Sequence, residues 1–262
     1  MCFGLSQENH RKLPIKEKKM PNLPELEIRG FFEMSLIDWD GRITSVIFLP
    51  GCNFRCGFCH NSGLVLKPEA LPYYSLEGIL EYMIEHKDFI DGITVTGGEP
   101  TLQKNLPLAL KAFKDNGFLI KLDTNGTNPE MLGQLINYRL VDYVAMDLKA
   151  PLLPEMYSKI TGCKVTIDRV KESLEMLKAA AEKNPSFDYE IRTTVVPDYL
   201  GDPEILAMAQ SLRGHRKWVL QQFVAKDLLN PEFSKITPYS EEKMQSLVGL
   251  AKRFVPAFGR GF

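Results

Sequence analysis

The sequence predicts an α/β fold in which parallel strands alternate with crossover helices, as a doubly wound sheet or curled into a barrel. Two observations support this prediction. Along 262 residues, six short β-rich runs alternate with six segments of helical spacing. The length also suits one large α/β domain or two small ones, with a core that needs no disulfide or metal to fold.

The N-terminal segment differs from the rest of the chain. Residues 1–27 are polar, rich in Lys and Pro, and show no sustained apolar period. We therefore predict a flexible extension over 1–27 and a single barrel domain over 28–262.

Six strands follow from short runs of β-branched and aromatic residues bounded by turn residues. The predicted strands are 45–49, 92–96, 118–122, 141–146, 189–196 and 218–223. Because each is followed by a helical segment, the strands are expected to lie parallel, with their C-terminal ends at one rim.

Six helices follow from apolar residues that recur every three or four positions. The predicted helices are 75–86, 106–116, 128–137, 167–183, 202–212 and 240–254. The fourth shows the pattern best, because Ile167, Val170, Leu174 and Leu177 share one face. Capping residues such as Ser75 also stand at the predicted helix starts.

Composition and charge exclude several classes of protein. The chain is 44% hydrophobic and 25% charged, with a formal net charge of −1, so no global positive field would attract nucleic acid or an anionic membrane. No run approaches the roughly 18 consecutive apolar residues of a membrane helix. The N-terminus has no apolar block typical of a signal peptide, so we expect a cytoplasmic protein.

The cysteines carry the strongest motif. Three of the five, Cys52, Cys56 and Cys59, form a C-x3-C-x2-C pattern directly after the first predicted strand. This spacing indicates a soft-metal site, either zinc with a fourth ligand or an iron–sulfur cluster with one open iron. His60 is a poor fourth zinc ligand, because it directly follows Cys59 and is badly placed to close a tetrahedron.

The ends of the other strands add polar groups at the same predicted rim. Gly97, Gly98 and Glu99 follow the second strand, Asp123 ends the third, Asp147 and Lys149 follow the fourth, and Arg192 lies in the fifth. Such a set of backbone, acidic and basic groups can hold the amino and carboxylate ends of an amino acid beside an open iron.

These motifs resemble those of a known family. The cysteine pattern, with Phe58 before its last cysteine and the run 97–100 downstream, resembles the radical S-adenosylmethionine (SAM) superfamily. Segments 30–39 and 48–61 are similar to the activating proteins of glycyl radical enzymes, above all those of anaerobic ribonucleoside-triphosphate reductase. The resemblance covers about residues 29–225 and implies a partial (β/α)6 barrel of the TIM type with parallel strands.

The resemblance also implies roles for individual residues. Cys52, Cys56 and Cys59 would hold a [4Fe-4S] cluster whose open iron is chelated by SAM. The implied SAM contacts are Phe58 and His60 beside the adenine, Gly97, Gly98 and Glu99 near the amino group, and Lys149 and Arg192 near the carboxylate. Asp123, Thr124 and Asp147 resemble the ligands of a monovalent cation in formate-lyase activases, and Asp123 and Asp147 are also expected to contact SAM.

The implied activity is reductive cleavage of SAM to a 5'-deoxyadenosyl radical. That radical would remove a Cα hydrogen from a glycine of the partner protein, with anaerobic ribonucleotide reductase as the expected partner. The electron would come from a flavodoxin- or ferredoxin-type donor.

One departure and three alternatives accompany this interpretation. Residues 221–224 read Gln-Gln-Phe-Val where formate-lyase activases carry a histidine, which disfavours a pyruvate formate-lyase partner. Cys2 and Cys163 are too few for a second cluster with three or four cysteine ligands and receive no role. The alternatives are activation of another glycyl radical enzyme, a radical SAM reaction on a small molecule such as a 7-deazapurine precursor, and a non-catalytic metal or electron-transfer module.

Overall fold

The computed structural model describes residues 23–262. Its centre is one eight-stranded sheet in the order β1 to β8, in which β1 is antiparallel to β2 and all later neighbours are parallel. The strands are β1 Gly30–Ser35, β2 Thr44–Leu49, β3 Gly92–Gly97, β4 Leu119–Thr124, β5 Tyr143–Asp147, β6 Asp188–Val195, β7 Trp218–Gln222 and β8 Ala257–Arg260.

Helices connect the parallel strands. They are α1 Ser62–Leu66, α2 Leu76–Glu85, α3 Leu106–Asp115, α4 Pro129–Asn137, α5 Pro154–Thr161, α6 Ile167–Lys183, α7 Asp202–Ser211 and α8 Glu241–Ala251. Single-turn 3₁₀ helices cover Pro68–Ala70, Pro100–Leu102 and Pro231–Lys235. None of the helices within residues 23–262 is long and apolar enough to cross a membrane.

The α/β fold and its parallel core confirm the sequence prediction. All six predicted strands are present as β2 to β7, and the six predicted helices are α2, α3, α4, α6, α7 and α8. The sequence analysis missed β1, β8, α1 and α5. β1 and β8 are edge strands with exposed residues at several positions, so neither shows the continuous apolar run of a central strand.

The sheet curls until its two ends approach each other. Arg260 at the end of β8 forms an ion pair with Asp40, which lies in the segment between β1 and β2 (Nη2–Oδ2 3.3 Å). β8 nevertheless has only β7 as a strand neighbour in the described chain. The architecture is therefore a partial barrel that stays open between its first and last strands.

The two faces of the sheet have opposite character. Alternate strand residues such as Ile47, Val95, Ile120 and Ile191 are fully buried in one core with the helices. Most of the intervening positions point to the inside of the barrel and carry polar or charged side chains, Arg192 among them. The inner face therefore offers functional groups that packing of the core does not need.

The described chain begins before residue 28. Leu26 is 1% exposed and belongs to the core, and the Asn105 side chain donates a hydrogen bond to the carbonyl of Glu25 (2.8 Å). Residues 23–27, assigned to the extension by the sequence, thus pack against the domain at these two points. Residues 1–22 of the predicted extension lie outside the described residues.

Candidate active site

A cavity of about 250 Å³ opens at the C-terminal ends of the parallel strands. Its wall brings together most of the residues that the sequence analysis selected. Those lining it are Cys52, Cys56, Phe58, Cys59, His60, Gly97, Gly98, Asp123, Thr124, Asp147, Lys149 and Arg192. Glu99 is the one selected residue that does not line it.

The loop after β2 carries the three cysteines into the cavity wall. Cys56 is buried and the other two are half-buried. Backbone hydrogen bonds fix the loop: Arg55 N–H donates to the Thr161 carbonyl (2.8 Å), and the Leu229 N–H donates to the Cys59 carbonyl (2.9 Å). The thiols are therefore positioned by segments that lie far away in sequence.

Gly57 lets this loop lie against an aromatic ring. A Cβ at Gly57 would stand 2.2 Å from the ring of Phe233. Phe233 in turn stacks on Tyr199 (5.4 Å between ring centroids). The Phe58 ring lies 6.4 Å from Phe233, so the loop forms part of a small aromatic cluster.

Burial dominates the protonation of the thiols. It raises the pKa of Cys52 to about 11 and that of Cys56 to about 12, and the nearby Lys149 ammonium only partly opposes the effect. The Cys52 and Cys56 thiols are therefore protonated near neutral pH, and a bound metal must displace their protons. Within residues 23–262, no group of three His, Cys, Asp or Glu side chains converges on one metal ion. A cluster does not require such convergence, because each thiolate binds a different iron.

Gly97 and Gly98 press against the cysteine loop. A Cβ on Gly98 would lie 1.8 Å from the Gly51 carbonyl oxygen, and a Cβ on Gly97 would lie 2.4 Å from the Leu49 carbonyl oxygen. Gly97 also has a φ of +124°, which L side chains rarely adopt. Its carbonyl accepts a hydrogen bond from the Asn61 side chain (2.8 Å). Backbone packing alone therefore requires glycine at both positions.

Glu99 lies behind the cavity wall and is fully buried. Its Oε1 accepts hydrogen bonds from the Thr101 N–H (3.1 Å), the Thr101 hydroxyl (2.5 Å) and the Thr124 hydroxyl (2.8 Å). Its Oε2 accepts one from the Asn125 N–H (2.7 Å). Burial raises the pKa of Glu99, and these donors partly offset the rise. The expected contact with a cofactor does not match this location, and Glu99 instead joins the ends of β3 and β4.

Asn125 extends this network to the cysteine loop. Its side-chain amide donates to Asn53 Oδ1 (2.8 Å), and the Asn53 amide donates to the Thr127 hydroxyl (2.8 Å). Asn53 immediately follows Cys52. A continuous hydrogen-bonded path thus runs from the buried Glu99 carboxylate to the thiol loop.

The opposite wall is a chain of alternating charges, which we call the ion chain: Lys121, Asp123, Arg192, Asp147 and Lys149. Arg192 bridges the two acids, with Nε 2.9 Å from Asp147 Oδ1 and Nη1 3.0 Å from Asp123 Oδ2. Lys149 Nζ lies 2.9 Å from Asp147 Oδ2, and Lys121 Nζ lies 3.4 Å from Asp123 Oδ1. The side chains come from β4, β5, β6 and the residues just after β5.

Electrostatics keep Asp147, Arg192 and Lys149 of the ion chain charged. Burial would raise the pKa of Asp147, but Arg192 and Lys149 outweigh burial and lower it to about 2. Burial opposes the charge of Arg192 as well, but Asp123 and Asp147 raise its pKa above the usual range. Burial would lower the pKa of Lys149, but the neighbouring Asp147 outweighs it and raises this pKa as well.

The predicted cation ligands contact other groups of the protein. The Thr124 hydroxyl donates to Glu99 and accepts the Gly126 N–H (3.2 Å), and both Asp123 and Asp147 face basic side chains. Residue types alone could not show this arrangement, since Arg192 is 45 and 69 residues away from the two acids it joins.

Phe58 and His60 flank the thiol loop as the sequence suggested. Lys149 Nζ lies 5.6 Å from the centroid of the Phe58 ring, within range of a cation–π contact. His60 is half-buried, and burial lowers its pKa. The imidazole is therefore neutral at physiological pH and presents a flat ring to the cavity.

Several lining residues received no role in the sequence analysis, among them Asn61, Lys121 and Arg260. Lys121 carried a usable signal. It interrupts an otherwise apolar strand and is 4% exposed, and a buried ammonium requires a charged partner on a neighbouring position. The others lie among turn and edge residues that have no distinctive pattern.

Comparisons with known proteins agree with this site. The family model of the radical SAM superfamily matches residues 46–210, a span that contains the thiol loop and the ion chain. The chain belongs to the radical SAM superfamily. Membership implies an enzyme that uses a [4Fe-4S] cluster and SAM, which the three thiols and the facing charged wall fit in number and kind.

Named relatives narrow the comparison. A Methanocaldococcus jannaschii protein named "Putative glycyl-radical enzyme activating enzyme" is 32% identical over 243 residues, covering 87% of this radical SAM chain and 92% of the relative. The pyruvate formate-lyase-activating enzyme of Streptococcus mutans is 32% identical over 46% of the chain and 49% of that enzyme. The 7-carboxy-7-deazaguanine synthase of Neisseria meningitidis is 30% identical over 50% of the chain and 56% of that enzyme.

A solved structure supports the fold. SuiB of Streptococcus suis, bound to its precursor peptide SuiA, matches with a TM-score of 0.59 and 16% identity. The match covers 82% of this chain and 48% of SuiB, so the chain spans about half the length of that protein. At this identity the likeness concerns the partial barrel alone.

Proposed function

We propose that this protein is an activase that installs a glycyl radical on anaerobic ribonucleoside-triphosphate reductase. The observation that carries the proposal is the cavity itself, in which three cysteines face a wall with a net positive charge. The near full-length relationship to a protein named as a glycyl-radical enzyme activating enzyme supports this class of activity.

In this proposal Cys52, Cys56 and Cys59 hold the cluster. Three thiolates leave one iron of a [4Fe-4S] cluster open. The loop is fixed by the Thr161 and Leu229 backbone contacts, so the cluster would sit in a preformed cradle. Its half-buried position in the cavity wall limits access of water.

The ion chain suits the carboxylate of SAM. It contains three basic and two acidic side chains, which leaves one positive charge for one carboxylate. Lys149 lies beside both the thiol loop and Asp147, so its ammonium would neutralise the carboxylate of a ligand bound next to the cluster. Phe58 and His60 offer flat faces for the adenine ring.

When bound, the cluster supplies one electron that cleaves SAM into methionine and a 5'-deoxyadenosyl radical, which takes a hydrogen atom from the glycine Cα of the partner. The chain's own residues orient the ligand and exclude water. We propose a flavodoxin- or ferredoxin-type protein of the cytoplasm as the electron donor.

Gln221 favours ribonucleotide reductase over formate-lyase as the partner. It lines the cavity from β7, in the segment where formate-lyase activases are expected to carry a histidine. The partner can be tested directly. The reduced holoprotein is mixed with SAM and either anaerobic ribonucleotide reductase or pyruvate formate-lyase, and the glycyl radical is recorded by electron paramagnetic resonance. A radical on formate-lyase alone would contradict the proposed partner.

The cofactor assignment has its own test. The reduced, reconstituted protein should give a cluster signal in electron paramagnetic resonance that changes when SAM is added. Cys56→Ala should lose the open-iron cluster and SAM cleavage, whereas Cys163→Ala, a cysteine outside the motif, should keep both. A full cluster and full cleavage in Cys56→Ala would contradict the assignment.

A second candidate is a radical reaction on a small molecule. The relationship to 7-carboxy-7-deazaguanine synthase favours it, and so does a cavity wall that includes Lys121, Gln221 and Arg260. Such an enzyme would turn over a soluble purine-type substrate in the absence of any protein partner, whereas the activase would not.

A further inference from the structure

We propose that Arg192 is the permanent cation between Asp123 and Asp147, so that this protein takes no monovalent metal ion at the place where its resemblance to formate-lyase activases suggests one. The inference about the two acids is independent of the proposed function. Only its last step, which concerns the carboxylate of SAM, depends on that function.

The contacts of the four carboxylate oxygens support this proposal. Arg192 approaches one oxygen of each acid, at 2.9 Å on Asp147 and 3.0 Å on Asp123. Lys149 lies 2.9 Å from the second oxygen of Asp147, and Lys121 lies 3.4 Å from the second oxygen of Asp123. The four carboxylate oxygens of the two acids therefore each lie within 3.4 Å of a basic nitrogen, although the buried Asp123 Oδ1 accepts no hydrogen bond in the described chain.

The Thr124 hydroxyl already forms hydrogen bonds within the protein. Its hydroxyl donates to Glu99 (2.8 Å) and accepts from the Gly126 N–H (3.2 Å), and the residue is 3% exposed. The third expected ligand thus holds the β4 end to Glu99. A metal ion between the two acids would have to displace Arg192.

The net charge of the ion chain also disfavours an added metal ion. Lys121, Arg192 and Lys149 against Asp123 and Asp147 give a net charge of +1. An added monovalent ion would raise it to +2 in a wall whose side chains are largely removed from water, which is unfavourable. A guanidinium is also well suited to this place, because it stays charged and its planar N–H groups can serve two carboxylates at once.

The same arrangement has a consequence for the ligand. Arg192 lines the cavity, and Nε and Nη1 are its only nitrogens bonded to acids in the described chain. Nη2 is left to donate to a bound anion. If the proposed function holds, the remaining positive charge serves the carboxylate of SAM with no metal ion between them.

Thermal unfolding of the full chain tests the cation directly. The midpoint is measured in potassium, sodium and tetramethylammonium chloride at equal ionic strength, so that screening is constant. The wild-type midpoints should agree within about 1 °C, whereas an ion bound with millimolar affinity would raise the midpoint by on the order of 5 °C at about 0.2 M salt. A saturable rise specific to potassium or sodium in the wild-type protein would overturn the proposal.

Variants separate charge from packing. Arg192→Gln leaves the two acids without their shared cation and should acquire a potassium- or sodium-dependent midpoint, whereas Arg192→Lys, which keeps the charge, should respond less. Arg169→Gln is the matched control, because Arg169 lies outside the cavity wall and its side-chain partners in the described chain are Glu130 and the Thr127 carbonyl. If Arg192→Gln does not fold, the wild-type comparison still decides.

A binding measurement completes the test. The affinity of the reconstituted holoprotein for SAM should be the same within about twofold in potassium and tetramethylammonium salts. Tighter binding by tenfold or more in potassium would overturn the proposal. A holoprotein that binds no SAM in either salt would count against the proposed function, while the unfolding result would still decide the inference about Arg192.

Discussion

The two walls of the cavity are held together by different interactions. On the thiol side, backbone segments approach so closely that Gly98 cannot carry a Cβ, and the buried Glu99 carboxylate collects four hydrogen bonds. On the opposite side, five charged side chains alternate along the ion chain. The thiol side is thus fixed by shape and by hydrogen bonds, and the other side by charge balance.

This difference matches the needs of the proposed chemistry. A cluster must be held at a fixed place, which rigid backbone contacts can provide. A charged ligand that comes and goes must be matched in charge, which the single excess positive charge of the ion chain can provide. The thiol side should therefore be most sensitive to added atoms and lost hydrogen bonds, and the ion chain to changes in charge.

The largest expected effect is on the thiol side. Gly98→Ala places a methyl group 1.8 Å from the Gly51 carbonyl oxygen, and backbone atoms cannot move aside cheaply. We expect a loss of about 4 kcal/mol or more in the free energy of unfolding, together with loss of iron after reconstitution. Urea denaturation and iron analysis measure both.

Gly249→Ala is the matched control for that change. Gly249 lies inside α8, and a Cβ there meets no atom within 4 Å. Alanine should stabilise this helix by about 0.5–1 kcal/mol and leave iron content unchanged. Equal destabilisation by both substitutions would show that close approach at Gly98 is not the cause.

The second effect concerns Glu99. Glu99→Gln keeps the shape but turns an amide donor toward the Asn125 N–H, so one buried donor loses its acceptor. We expect a loss of about 2–3 kcal/mol in the free energy of unfolding, with faster loss of iron. Glu130→Gln, at an exposed position, should change stability little. If Glu99 touched SAM instead, the change would weaken SAM binding without altering stability.

The sequence predicted the parallel core because its strands are continuous apolar runs separated by helical segments. It could not predict β1 or β8, whose residues are largely exposed at the edges of the sheet. An edge strand needs only one neighbour and leaves one face to solvent, so its composition resembles that of a loop.

The site was predictable in its residue types and less so in its contacts. The cysteine spacing and the strand-end positions brought twelve selected residues to one cavity, as expected for parallel strands. The environment of Glu99 depends on hydroxyl and amide donors at Thr124 and Asn125, more than twenty residues away. Contacts between residues so far apart in the chain cannot be predicted from local sequence patterns.

Acid should weaken the charged wall selectively. The pKa of Asp147 is lowered from 3.8 to about 2, so its stabilising contribution is present above pH 4 and is lost as the pH falls through 2. We expect Asp147→Asn to lower the free energy of unfolding by about 2 kcal/mol near pH 6. The difference in this free energy between variant and wild type should become smaller toward pH 2. Urea denaturation across this range measures the difference. If the difference in unfolding free energy does not change with pH, the charge of Asp147 is not what stabilises the wall.

Glu99→Gln responds to acid in the opposite sense. Because burial raises the pKa of Glu99, the wild-type protein gains stability from this group as the pH falls. The difference in unfolding free energy between wild type and Glu99→Gln should therefore not become smaller as the pH falls. The same titration thus distinguishes the two walls.

The smallest expected effect tests the path between Glu99 and the thiol loop. Asn53→Ala removes the link from Asn125 to the loop, but Asn53 is exposed, so water can replace its hydrogen bonds. We expect a loss of about 1 kcal/mol or less in the free energy of unfolding. Iron should nevertheless be released faster to a chelator, because Asn53 adjoins Cys52. If iron release is unchanged, the other contacts of the loop, such as those with Thr161 and Leu229, hold it without the Asn53 link, and Glu99 acts only on the ends of β3 and β4.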